Sequence, residues 1–210
     1  MSGVAPGALP YLSPKRQGDI FAHQLEEIFA NRDREYCAEF WQTGTAKTLP
    51  IIATAAHLYL RQQIELCIVF APNTVHENWW LREVPATLDP GFPVLGYTWN
   101  GSDTKREEEA RTRFIHAKGK LKMLFINFEA LSAHKDIDKN RAVQLISAVM
   151  DKHRGKIMGV VDEADGIGDP YSKRTKRMLL FSKHFQYRRI LTGTPITESV
   201  FSVYPQSEFL

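Results

Sequence analysis

Gly44-Thr45-Ala46-Lys47-Thr48 follows a short apolar stretch and opens a helical pattern. Residues of these types in this order suit a phosphate ligand. A helix N-terminus offers unpaired amides and the positive end of the peptide dipole, and both attract anions. Gly44 lets the backbone turn tightly against the ligand, and Thr45 and Ala46 add their amides to the loop. Lys47 would contact the β- and γ-phosphates of a nucleoside triphosphate, and the Thr48 hydroxyl would ligate Mg²⁺. The full pattern G-x-x-x-x-G-K-[ST] is not met, because Trp41 and Ala46 occupy its two glycine positions. The Ala46 methyl lies where backbone meets phosphate. The competing reading is a surface turn before a helix, with a solvated lysine.

A second segment completes the chemistry. Gly159-Val160-Val161 runs straight into Asp162-Glu163-Ala164-Asp165. In parallel sheets ligand chemistry gathers at the carboxyl ends of strands. Asp162 would hold Mg²⁺ directly or through water, and Glu163 would orient and polarise an attacking water. A polar turn after a strand is the bland alternative. A phosphate loop upstream of the two acids favours a site for hydrolysing a nucleoside triphosphate. A third segment, Leu191-Thr192-Gly193-Thr194-Pro195-Ile196, ends another apolar run with small hydroxylated residues. By itself it is only a strand followed by a turn.

These segments need a scaffold, and the chain supplies one by alternation. Expected strands are Tyr36 to Trp41, Leu66 to Ala71, Val94 to Trp99, Met123 to Asn127, Ile157 to Val161 and Arg189 to Thr192. Expected helices are Ile20 to Ala30, Lys47 to Arg61, Thr74 to Thr87, Asp103 to His116, Asp138 to His153, Ser172 to Ser182 and Ser199 to Phe209. Such alternation predicts an α/β fold, a mainly parallel sheet with helices on both faces. Pro50 is tolerated in the first turn of its helix, where its missing amide has no intrahelical partner.

The bulk properties bound the rest. A chain of 210 residues can bury one sizeable core. A formal charge of +3 is compatible with nucleic acid. Cys37 and Cys67 form neither a disulfide framework nor a metal-ligand pattern, which favours a reducing cytoplasm. The histidines are scattered without ligand spacing. No apolar run reaches membrane-spanning length, so no membrane partner is expected. Residues 1–18 are rich in Gly, Pro and Ser and read as a loose arm, leaving residues 19–210 as one domain. Lys173, Arg174, Lys176 and Arg177 form a basic helix face, either solvated or phosphate-contacting. Trp79 and Trp80 are adjacent and must face different ways; one is expected in the core, and base stacking by the other is the minor reading, because proteins that track a duplex mostly grip its backbone.

The ordered set GTAKT, APNTVHENW, NFEAL, DEAD and LTGTPI resembles the first RecA-like domain of superfamily-two helicases, nearest the Swi/Snf-type duplex-translocating branch. The likeness runs from Ile20 to Leu210. Ser172 to Thr175 with Lys176, and Tyr187 to Pro195, look like helicases encoded by bacteriophages, which would place the protein in a host cytoplasm. The resemblance implies a RecA-like three-layer sandwich, ATP and Mg²⁺ as ligands, and double-stranded DNA as partner. It also implies a second RecA-like lobe, in the same or another chain, carrying an arginine finger. By the same resemblance Gln24 reads the adenine edge, and Pro72, Asn73, Asn78 and Asn127 touch DNA. Asp165, Thr192, Gly193 and Thr194 relay the nucleotide state. The implied function is a nucleic-acid-dependent ATPase. Its rivals are a binding module that kept the fold and lost turnover, or another phosphate-loop enzyme such as a nucleotide kinase.

Overall fold

The computed structural model describes residues 9–42, 44–195 and 200–210. The expected strands all form: β1 (Tyr36–Glu39), β2 (Leu66–Ala71), β3 (Val94–Thr98), β4 (Leu121–Asn127), β5 (Ile157–Asp162) and β6 (Tyr187–Leu191). They make one six-stranded sheet in the order β1-β6-β5-β2-β4-β3, with every pair parallel. β6 therefore lies between the strand that feeds the phosphate loop and the acidic strand β5.

The helices in chain order are α1 (Pro14–Asp19), α2 (Ala22–Asn31), α3 (Thr48–Leu60), α4 (Asn73–Asn78), α5 (Val84–Thr87), α6 (Lys105–His116), α7 (Phe128–Ser132), α8 (Arg141–Met150), α9 (Lys173–Ser182) and α10 (Val203–Phe209). A π-helical turn, Trp79–Glu83, joins α4 to α5. Pro85 follows it and has no amide to donate, so the regular ladder cannot run through this point. The helix expected from Ser199 begins with a 3-10 turn at Val200–Ser202; Ile196 and Ser199 lie outside the described residues.

Alternation along the buried strands splits the core in two. Leu66, Ile68 and Phe70 face one cluster with Phe114, Ile146, Met178 and Phe209, from α6, α8, α9 and α10. Cys67 and Val69 face the other, with Ile28, Ile51, Ile52 and Val84, from α2, α3 and α5. α3 is buried on most of its circumference, as an almost wholly apolar helix must be. That burial fixes its first turn, and with it Lys47.

The loose arm expected over residues 1–18 is not loose over 9–18. Leu9, Tyr11 and Leu12 are buried, Leu12 bridges Leu88, and Ser13 caps α1. The Ser13 amide donates to the Thr87 carbonyl, and the Asp89 amide to that of Tyr11, each at 2.9 Å. Three apolar side chains outweigh the local Gly and Pro content. Residues 1–8 lie outside the described set. Among the described residues no helix is long and apolar enough to cross a membrane.

Candidate nucleotide and nucleic-acid site

The loop expected to take phosphate, Gly44 to Thr48, runs from the end of β1 into α3. Gly44 has φ +86° and Ala46 φ +53°, so both take left-handed backbone. Such turns aim successive amides into one concavity that suits anions. At Ala46 an L side chain occupies a conformation that glycine adopts freely. Lys47, the N-cap of α3, is 7% exposed, and its buried Nζ has no hydrogen-bond partner. A buried ammonium without a partner is costly, and phosphate oxygens are the group that would satisfy it. Thr48 opens the helix and is half-buried beside it.

Across from the loop, β5 ends at Asp162, which is 6% exposed. Its Oδ2 accepts from Trp79 Nε1 at 2.9 Å and its Oδ1 from the Glu163 amide at 3.0 Å. Each oxygen keeps a further lone pair, so Thr48 and Asp162 suit a hard cation. Burial pushes the Asp162 carboxyl above its ordinary range; the Trp79 bond and the Lys47 charge pull it back. Burial also raises Glu163, again opposed by Lys47. Glu163 holds left-handed backbone at φ +51°, a strained turn that sends the chain off β5.

Three features of this site were not read from the sequence. Glu39 ends β1 at 3% exposure, with Oε2 unpartnered. Burial holds its carboxyl well above the carboxylate range, helped by Glu27 and opposed by Arg189 and Lys47. The only advance signal was an acid inside an apolar run. Secondly, Phe21, His23 and Trp41 form an aromatic group beside the loop. Phe21 and His23 stack with centroids 5.6 Å apart, and Trp41 meets His23 edge-on at 5.1 Å. His23 and Trp41 help line a hollow of about 540 Å³ that reaches Thr45. The third is the state of Gln24. Its Oε1 accepts from the Phe21 amide at 3.1 Å, and its Nε2 donates to the Ala46 carbonyl at 3.0 Å. Both ends of the amide are engaged, one capping α2 and one holding the loop. Reading an adenine edge would require these bonds to exchange.

The remaining expected residues fall into two groups. Thr192, fully buried after β6, donates to Asp165 Oδ1 at 3.5 Å and accepts from the Thr194 amide at 3.1 Å. Its amide donates to the Glu39 carbonyl at 3.2 Å, so the segment through Gly193 lies between loop strand and acidic strand. At the ends of β2 and β4, Asn127 Nδ2 donates to Asn73 Oδ1 at 2.7 Å. Pro72 caps α4 beside them. Asn78 is exposed at the far end of α4, bonded to the Thr74 carbonyl at 3.2 Å, and does not join that pair.

The Trp80 ring lies flat on Gly96, where an added Cβ would meet it at 2.2 Å, and near Phe125; that face is not open to a base, which agrees with stacking as the minor reading. One expectation is corrected. Arg177 is buried and donates to the carbonyls of Leu131 and Lys135, so it leaves the basic face to Lys173, Arg174 and Lys176. Arg177 sits beside buried Met178 and one turn before buried Phe181, on the edge of the helix that meets the core, while Lys173 one turn earlier stays exposed.

A six-stranded parallel sheet flanked by helices, with a left-handed loop and a strand-end acid pair on either side of β6, defines a RecA-like α/β domain. Residues 40–210 match the SNF2-related domain, and the chain belongs to that family. It is 29% identical over 173 residues to the chromatin-remodeling ATPase INO80 of Eremothecium gossypii, covering 80% of this chain and 11% of that protein. The Saccharomyces cerevisiae protein of the same name is 29% identical over 171 residues, with 80% and 10% covered. The chain thus spans about a tenth of the length of these relatives. The Sulfolobus solfataricus SWI2/SNF2 ATPase core, solved in complex with double-stranded DNA, superposes with a TM-score of 0.60 at 22% identity. That match covers 90% of this chain and 35% of the other, and it shows the fold.

Proposed function

We propose that this chain is the ATP-binding lobe of a duplex-DNA-dependent motor that hydrolyses Mg·ATP. The observation that carries the reading is Lys47: a buried, unpartnered ammonium between a left-handed loop and the acids of β5. Lys47 and the amides of Gly44 and Ala46, joined by that of Thr45 once it leaves the Gln42 carbonyl to which it donates at 3.4 Å, hold the β- and γ-phosphates and stabilise charge as the terminal phosphoryl group leaves. Thr48 and Asp162 would hold Mg²⁺, which when bound neutralises phosphate oxygens. Glu163 orients the attacking water, and its raised carboxyl suits it to take a proton. Phe21, His23 and Trp41 offer aromatic surface to the base. Asp165, Thr192, Gly193 and Thr194 connect this site to its neighbours, and Pro72, Asn73 and Asn127 face DNA backbone. Membership of the SNF2-related family supports ATP as substrate, and the archaeal neighbour supports duplex DNA. The phage-like segments Ser172–Lys176 and Tyr187–Pro195 are the basis for a bacteriophage source.

Calorimetry tests the assignment. Wild type should bind Mg·ATP, and Lys47→Ala should lose at least tenfold in affinity, about 1.4 kcal/mol. Equal affinities would refute the site. A degenerate binding module is favoured by one observation, the Ala46 side chain at positive φ. Absence of ATP turnover with duplex DNA and a supplied second lobe would select it.

A further inference from the structure

A cavity of about 660 Å³ opens at the opposite end of the sheet, where β2, β4 and β5 begin. Strands of this length put it roughly 20 Å from the phosphate loop. Its walls come from the ends of α3 and α6, the turns that precede the three strands, and the start of β4. The turns before β4 and β5 carry Lys118, Lys120, Lys152 and Lys156, β4 itself carries Lys122, and Glu65 is the one carboxylate among the lining residues.

That carboxylate is already engaged. Lys156 Nζ donates to its Oε1 at 2.8 Å, and His153 Nδ1 donates to its Oε2 at 3.0 Å. His153 therefore turns Nε2 as an acceptor toward Lys122, whose Nζ donates to it at 3.1 Å and to the Ile115 carbonyl at 2.9 Å. Lys122 is 2% exposed, and both of its partners are neutral. Among the described residues, neither it nor Lys118, Lys120 or Lys152 forms an ion pair. Glu65 acts on Lys122 only across His153 and against the charge of Lys152, and a buried ammonium with no direct counter-charge is unfavourable unless an anion compensates it. Here one such group backs a hollow whose rim carries three exposed lysines.

We propose that this cavity binds a compact polyanion, a small molecule carrying several clustered phosphates. The volume lies within the ~300–1,000 Å³ typical of small-molecule sites. Lysines from two turns, those before β4 and β5, and from β4 itself line one concavity, a geometry that suits a compact charge cluster. A duplex spreads its charge at about one per 1.7 Å along an extended axis and would call for a strip of cations.

The test uses the whole chain with Lys47→Ala, in metal-free buffer, so that the phosphate loop does not contribute. Calorimetry with inorganic tripolyphosphate or fructose 1,6-bisphosphate should show one site per chain. Tighter binding of the first identifies a linear polyphosphate ligand, and of the second a phosphorylated organic one; either supports the proposal. Lys118→Gln/Lys120→Gln/Lys152→Gln alters only exposed side chains and should weaken binding at least tenfold. The charge-matched control Lys105→Gln/Lys139→Gln/Lys173→Gln should bind as before. Hydrogen exchange in the unsubstituted cavity should slow at residues 115–120 and 152–156 when the probe is added. No binding, equal loss in both triple variants, or stoichiometric displacement of the probe by a short DNA duplex would overturn the proposal.

Discussion

Ala46 and Glu163 place left-handed backbone on both sides of the proposed nucleotide site, and neither is glycine. An L residue there costs about 1–2 kcal/mol, partly offset in any glycine variant by the greater freedom of the unfolded chain. Ala46→Gly is therefore expected to raise unfolding free energy by about 1 kcal/mol and to tighten Mg·ATP binding. Urea titration and calorimetry read the two effects. An unchanged midpoint with unchanged affinity would mean that the loop already accommodates the methyl group. Glu39 gives a pH signature. Its folded carboxyl lies well above 4.5, chiefly through burial. The native state then holds a proton that the unfolded chain releases, so this contribution is present below the unfolded value and is lost as pH rises through the folded one. Glu39→Gln should remove that slope and leave the variant about 1–3 kcal/mol more stable than wild type at neutral pH. Parallel pH–stability curves for the two proteins would count against it.

At the scale of elements, the π turn matters most. It brings Trp79 inward so that its indole N–H reaches Asp162 Oδ2 at 2.9 Å across 83 residues of sequence. Trp79 thus positions the carboxylate assigned to the metal. Trp79→Phe keeps most of the ring and deletes the donor. It should cost about 1–3 kcal/mol in stability and weaken the Mg²⁺ dependence of ATP binding by about 10–100-fold. A purely structural role would lower stability and leave the Mg²⁺ titration unmoved. This contact also shows where sequence reading stops. The strands were legible because β2, β5 and β4 from Met123 onward are mostly apolar runs. The proposed roles of Lys47, Asp162 and Glu163 could be read because these residues sit next to strand ends and helix starts. Glu39, Lys122, Arg177 and Arg189 were not, because a charged letter reads as surface until its partners are known. Arg189 is 1% exposed and donates to four carbonyls, those of Asn31, Arg34, Glu35 and Arg188. Such pairings are long-range and carry no local periodicity.

On the scale of the molecule, loop, acids, coupling segment and asparagines all gather at one end of a single sheet. A motor of the proposed kind needs two lobes that close on nucleotide and reopen, each gripping DNA in turn. The described residues form one lobe, and the arginine finger implied by the family resemblance would come from a second. Such a finger is worth roughly 10³–10⁵ in rate in related phosphoryl-transfer enzymes. The purified 210-residue chain should therefore bind nucleotide yet turn it over slowly, with little stimulation by duplex DNA. It should still hold DNA weakly through backbone phosphates near Asn73 and Asn127, with little sequence preference. If about three phosphates are neutralised, the log–log salt slope is near −3. Anisotropy titrations across salt concentrations measure that slope, and a coupled assay measures turnover with and without DNA. Strand displacement, or robust DNA-stimulated hydrolysis by a proven monomer, would mean that one lobe completes the catalytic site without a partner.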